Sequence, residues 1–223
     1  MEKRNIYMLL PAIVALIVVI GGAFVLYPLL NPPLPIVREA PDFTLINQDS
    51  EEVNLSDFNG KVVLMGFMYT SCPDAEFCIL MNSNFKTLQD EFGERMGPEI
   101  VFLSISLDPE RDTPEILKTF GTYYQADFSA WQFLTGDNAT VHEVLDDYNV
   151  IAFKEMPENS TMSMEHSNIT MGGNETMSHH NHYIVIHNWV TVIVDQDGMI
   201  RREYGKLDWD VETAKADILS LLV

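Results

Sequence analysis

The chain contains two cysteines, Cys72 and Cys78, in the stretch Tyr69-Thr-Ser-Cys-Pro-Asp-Ala-Glu-Phe-Cys78. A thiolate is both a nucleophile and a soft metal ligand, so the pair can exchange with a disulfide, close one of its own, or hold a metal. On a regular helix, positions six apart point to different faces about 9 Å apart in rise. Part of 72–78 must therefore be a loop if both sulfurs are to meet. A purely structural disulfide is the plainest alternative. The other concentration of donors is residues 156–182, with five methionines (Met156, Met162, Met164, Met171, Met177) and four histidines (His166, His179, His180, His182). Thioethers are good ligands for Cu(I) and poor ones for zinc or calcium, so Met162, Met164, His166, Met171, Met177, His179, His180 and His182 read as an auxiliary copper-gathering set. The competing reading is a glycosylated loop. Asn159, Asn168 and Asn174 each begin an Asn-x-Ser/Thr sequon, as do Asn54 and Asn138.

Chemistry of this kind needs elements that hold the donors. Residues 43–46 and 53–55 read as a short hairpin around the polar turn 47–52. Residues 61–67 (KVVLMGF) and 100–107 (IVFLSISL) are continuous apolar runs, the sign of strands buried on both faces. Residues 79–92 carry Leu80, Phe85, Leu88 and Phe92 at helical spacing, and Thr113-Pro114-Glu115 has the cap and first-turn proline that open another helix. A short strand at 131–134 and a short helix at 139–148 follow. Residues 183–194 and 199–204 read as a hairpin around Asp195-Gln-Asp-Gly198, and 211–222 as a closing amphipathic helix. This order predicts an α/β fold, a thioredoxin-like mixed central sheet flanked by helices. The cysteines then lie beyond the carboxyl end of the first buried strand, where open α/β sheets place their ligands. The Met/His-rich stretch 156–182 cannot build a core and reads as an insertion.

Residues 6–30 are almost wholly apolar, and no charge occurs between Asn5 and Val37. About 20 such residues suffice to cross a bilayer, so one N-terminal transmembrane helix is predicted. Lys3 and Arg4 precede it, which puts the amino terminus in the cytoplasm and the remainder outside. The expected organisation is a cytoplasmic tip and anchor at 1–31, a proline-rich spacer at 32–39 and a folded domain at 40–223 carrying the 156–182 insertion. The expected location is the cell membrane, single-pass, with the domain on the extracytoplasmic side. The 223 residues carry 13 basic and 33 acidic side chains, a formal net charge of −20. That charge repels polyanions and excludes general nucleic-acid binding. Two cysteines are too few for a disulfide-stapled scaffold.

The order and spacing of several motifs resemble the SCO/SenC family: Gly60-Lys-Val-Val-Leu, Tyr69-Thr-Ser-Cys-Pro-Asp74, Asp108-Pro-Glu-Arg-Asp-Thr-Pro114, Leu134-Thr-Gly136, then Tyr183-Ile-Val-Ile-His187 and Asp195-Gln-Asp-Gly198. The match runs from about Ala40 to Val223, apart from the insertion. The resemblance implies a membrane-anchored, thioredoxin-like copper protein that helps load the binuclear copper site of cytochrome c oxidase. It would act as metallochaperone, thiol reductant or both. Its partners would be the copper-site subunit of that oxidase or another extracytoplasmic copper protein. The resemblance further implies copper ligands at Cys72, Cys78 and His187, the last at the start of the late hairpin strand. Two departures stand out. The family usually has three residues between its cysteines, where this chain has five, and it often has Asp before the histidine, where this chain has Ile186. A ligating histidine needs a partner that fixes its tautomer, so another group must serve. Two thiolates and an imidazole suit copper as Cu(I) or Cu(II), though zinc accepts the same ligands. Asp108–Thr113 is expected to brace the strand-to-helix turn near the cysteines rather than to bind metal.

Two other readings compete. An extracytoplasmic thiol-disulfide oxidoreductase would use Cys72 to attack and Cys78 to resolve. Such enzymes usually carry Cys-x-x-Cys and a proline opposite, and neither occurs here. A peroxiredoxin shares the Ala40-Pro-Asp-Phe-Thr-Leu45 entry, but Tyr69 and Met65 stand where its threonine and proline belong.

Overall fold

Continuous apolar runs became the centre of the sheet. In the computed structural model, described over residues 33–72, 79–156, 183–205 and 209–222, strands β4 (Val62–Met68) and β5 (Ile100–Ser106) are buried at every position. They pair in parallel from Val62↔Ile100 to Met68↔Ser106, and β6 (Trp131–Thr135) extends the parallel block. The other members are β1 (Arg38–Glu39), β2 (Thr44–Asn47), β3 (Glu52–Asn54), β9 (Thr191–Val194) and β10 (Met199–Tyr204). The eight strands run in the order β1-β10-β9-β4-β5-β6-β2-β3, and every pairing outside the parallel block is antiparallel. This is the mixed sheet predicted. The expected transmembrane segment, most of the insertion and Cys78 lie outside the described residues.

Helices cover both faces. Helix α1 (Leu80–Phe92) turns Met81, Phe85 and Leu88 into the core, where the Phe85 ring meets Phe102 and Trp131. A Cβ on Gly66 would come within 2.7 Å of Met81 Sδ, so the absence of a side chain lets α1 sit against β4. Helix α2 (Pro114–Tyr123) joins the same face through Phe120 against Phe133, and its N-cap Thr113 accepts from the Ile116 N–H as the sequence predicted. Residue 67 points the other way, and the Phe67 ring meets Tyr148 at the end of α3 (Asn138–Asp147). Helix α4 (Val211–Leu221) packs beside α1 and is tied to it by a Lys215–Glu91 ion pair of 2.8 Å.

Three features differ from the sequence reading. Arg38 and Glu39, expected in the spacer, form edge strand β1 against Ile200 and Met199. The stretch 183–194 is not one strand. It breaks at Asn188–Val190 into β8 (Ile184–His187) and β9, and only β9 pairs with β10. Strand β8 pairs instead with β7 (Ala152–Glu155), an unpredicted strand, in a separate two-stranded ribbon. The insertion thus leaves and re-enters the ribbon at one end, beside the Glu155↔Ile184 pair, and His187 lies at the other.

Candidate metal centre

Cys72 stands where β4 ends, and the chain holds that end firmly. The β4–β5 pairing continues one step through Leu107 N–H to Met68 O (2.8 Å). The turn after β5 closes with the N–H groups of Arg111 and Asp112 on Asp108 O, which sends the buried Asp112 carboxylate back under Thr70. There it accepts from the Thr70 N–H and hydroxyl, and from Ser106 Oγ at 2.6 Å. Burial raises the Asp112 pKa above the ordinary carboxylate value, although the Ser106 and Thr70 hydrogen bonds oppose that shift. Beyond Thr70, the Cys72 N–H closes a turn on Tyr69 O (3.3 Å), leaving a half-buried thiol. The expectation that residues 108–113 brace this turn is met by Asp112.

His187 lies on the stretch that leads into β9, the neighbour of β4 opposite β5. The β4–β9 register runs from Val63↔Val194 to Gly66↔Thr191, and β8 precedes β9 across the Asn188–Val190 break. The imidazole meets the buried Tyr69 ring edge-on, with centroids 5.9 Å apart. Tyr69 therefore touches the His187 imidazole with its ring and the Cys72 main chain with its carbonyl. Histidine Nδ1 lies 2.8 Å from the carbonyl oxygen of Asn188. A carbonyl only accepts, so Nδ1 carries the proton, and in the neutral ring the lone pair is on Nε2. His187 is the last residue of β8, not the first of the late hairpin, and the residue opposite it is Ala152.

The ribbon that carries His187 is clamped to the β5–α2 turn. Tyr183 donates its hydroxyl to Asp108 Oδ1 (2.7 Å), and the Arg111 guanidinium lies 3.4 Å over its ring while donating to the Tyr183 carbonyl (2.9 Å). Burial and the Asp108 carboxylate both push the Tyr183 phenol well above its ordinary pKa, so it stays a donor. Lys154 completes the clamp, 4.7 Å over the same ring and 2.6 Å from Glu110. Beneath the ribbon lies a cavity of about 320 Å³ lined by Leu107, His142, Ala152, Lys154 and Val185.

The sequence reading singled out eleven donors. Cys72 and His187 are the two of them that lie among the described residues, Cys72 three residues after Tyr69 and His187 against the Tyr69 ring. Cys78, Met162, Met164, His166, Met171, Met177, His179, His180 and His182 lie outside the described residues. Among the described residues no three His, Cys, Asp or Glu side chains cluster closely enough to hold an ion. Tyr69, Tyr183 and Asn188 were missed as parts of the site. Their signal was positional: each adjoins a cysteine turn, an insertion boundary or a candidate ligand.

The family model described as SCO1/SenC matches residues 35–223. The chain belongs to the SCO1/SenC family. The SCO1 protein homolog of Bacillus subtilis (strain 168) is 27% identical over 180 residues, covering 81% of this chain and 84% of that one. Among solved structures, copper-bound ScoI of Bradyrhizobium japonicum superposes with a TM-score of 0.61 at 24% identity, over 82% of this chain and 99% of ScoI, and so establishes the shared fold. BsSco, a member of the Sco family of cytochrome c oxidase assembly proteins in which a disulfide switch was identified, gives 0.59 at 25% identity, over 84% and 95%. The thioredoxin-like reading thus holds for this SCO1/SenC protein.

Proposed function

We propose that this SCO1/SenC protein is a membrane-anchored copper metallochaperone for the binuclear copper site of cytochrome c oxidase. One observation carries the reading: the His187 imidazole packs on the ring of Tyr69, the residue that opens the turn to Cys72 at the carboxyl end of β4. Cys78 supplies the second thiolate. A thiolate and an imidazole with its lone pair on Nε2 are a soft and a borderline donor, the combination that accommodates copper in both oxidation states. Copper is cargo here, taken up as Cu(I) and released by ligand exchange to the copper-site subunit or another extracytoplasmic copper protein. The methionines and histidines of 156–182 gather copper ahead of that site. Residues 6–30 anchor the chain in the cell membrane with the domain outside, a placement supported by their apolar length and the preceding Lys3 and Arg4.

A second reading, thiol-disulfide exchange through Cys72 and Cys78, is favoured by the half-buried Cys72 thiol and by the disulfide switch described for BsSco. Copper titration of the intact, reduced chain separates the two. The expected result is one tight copper, lost in Cys72→Ala and in His187→Ala, plus weaker copper lost when 156–182 is deleted. No tight copper, with disulfide reductase turnover instead, would sink the chaperone reading and leave the oxidoreductase.

A further inference from the structure

A strand-borne imidazole on the rim of a two-stranded ribbon needs something to fix its ring. The residue before it does not do so. Ile186 pairs with Phe153 on the outer, exposed face of the ribbon and brings no polar atom. Asn188 makes the relevant contacts. Its main-chain oxygen receives the His187 Nδ1 proton (2.8 Å), and its main-chain N–H donates to Ile151 O (3.2 Å). Its side-chain Oδ1 accepts from the Ile151 N–H (2.7 Å), while Nδ2 donates to Asn149 O (3.0 Å). The amide orientation follows from its partners, since an N–H faces the oxygen and a carbonyl faces the nitrogen. Asn149 itself has φ +56°, a left-handed conformation that asparagine tolerates better than most residues. Asn188, whose main-chain oxygen holds His187, is thereby pinned to the chain entering β7.

We infer that Asn188 is the positioning residue of the metal centre: its side chain locks the 149–151 segment so that its own carbonyl fixes His187 with Nδ1 protonated and Nε2 directed to copper. This rests on His187 being a ligand, as proposed above. The partner is a neutral carbonyl rather than a carboxylate, so the ring gains no imidazolate character and remains a moderate donor. Without the Asn188 amide the 188–190 link is released from Ile151 and Asn149, and the ring samples both tautomers.

The test uses the intact chain in detergent, labelled with 15N-histidine, with His187 ring signals assigned by their absence from His187→Ala. In the copper-free wild type, the expected result is a single tautomer with the proton on Nδ1. In Asn188→Ala, and in the milder Asn188→Ser, both tautomers are expected, with Cu(I) dissociating about tenfold faster. A wild-type ring protonated on Nε2 overturns the inference without any variant. So does an Asn188→Ala chain that keeps the Nδ1–H tautomer and the wild-type copper dissociation rate. If His187→Ala binds copper as tightly as wild type, the function proposed above falls, and the ring spectra still decide whether Asn188 sets the tautomer.

Discussion

Strands β4 and β5 are buried at all fourteen of their positions, whereas β7 is exposed at three of its four and β8 has one buried residue, Val185. One region holds Cys72 and the other holds His187. The β4–β5 pair is covered by helices on both faces, and its end is tied down by Asp112. The ribbon has two strands, an apolar outer face, a cavity beneath its inner one and a few polar clamps. Isolated two-stranded ribbons are marginal in water, so the clamps matter more to it than its own pairing does. The candidate centre therefore joins a fixed donor to one on a less stable element, and regions of low stability are where proteins open first. Under the metallochaperone function proposed above, His187 is therefore easier to release than Cys72.

The comparison breaks if the two regions respond alike to lost packing. Phe85 is fully buried and touches Phe102, Trp131 and Trp209. Phe85→Ala should cost about 3–5 kcal/mol of global stability. Phe153, 54% exposed on the ribbon, should change it by no more than about 0.5 kcal/mol when replaced by Ser. Denaturant unfolding reads both. A Phe153→Ser chain destabilised as much as Phe85→Ala would show that the ribbon is part of the cooperative core.

A smaller effect should be confined to the ribbon. Tyr183→Phe removes the hydroxyl that serves Asp108, a buried carboxylate whose Oδ2 finds no hydrogen bond among the described residues and lies 3.7 Å from Arg111. Leaving that carboxylate under-satisfied should cost about 1–3 kcal/mol. The loss should appear as faster amide exchange in β7 and β8, with the amides of β4 and β5 unchanged. Uniformly faster exchange across the sheet would mean that the clamp braces the core and not the ribbon.

The same division explains what was legible in the sequence. β4, β5 and the capped start of α2 are local signals, an apolar run or a Thr-Pro-Glu entry, and the structure follows them. The break at Asn188 was invisible because residues 183–194 read as one apolar strand, and only contacts with Asn149 and Ile151 show why the chain turns there. Strand β7, with the sequence Ala-Phe-Lys-Glu, has no strand signature of its own and acquires one from a partner beyond the insertion. Strand β1 was hidden for a similar reason, since its pairing residues lie more than 150 positions away. Of the metal centre, Cys72 was legible from its place after a buried strand, and His187 through motif order. The contact of His187 with Tyr69 belongs to the tertiary structure alone.

The smallest effect concerns the fixed half. Burial holds the folded-state pKa of Asp112 above its ordinary 3.8. The folded protein therefore keeps that proton to higher pH than the unfolded chain does. Its contribution to stability is complete below the ordinary value and is lost as pH rises through the raised one. The exposed carboxylates Asp49 and Glu110, held by Lys118 and Lys154, have lowered values and act in the opposite sense, losing their contribution as pH falls. The whole-protein curve mixes both, so the informative quantity is wild type minus Asp112→Asn, followed by denaturant midpoints from about pH 3 to pH 7. That difference should fall with rising pH and then level off. A difference that grows with pH would mean that the Thr70 and Ser106 hydrogen bonds outweigh burial. Asp112 would then hold the β4 end as a stabilised anion, and the turn presenting Cys72 would be tightest at neutral pH.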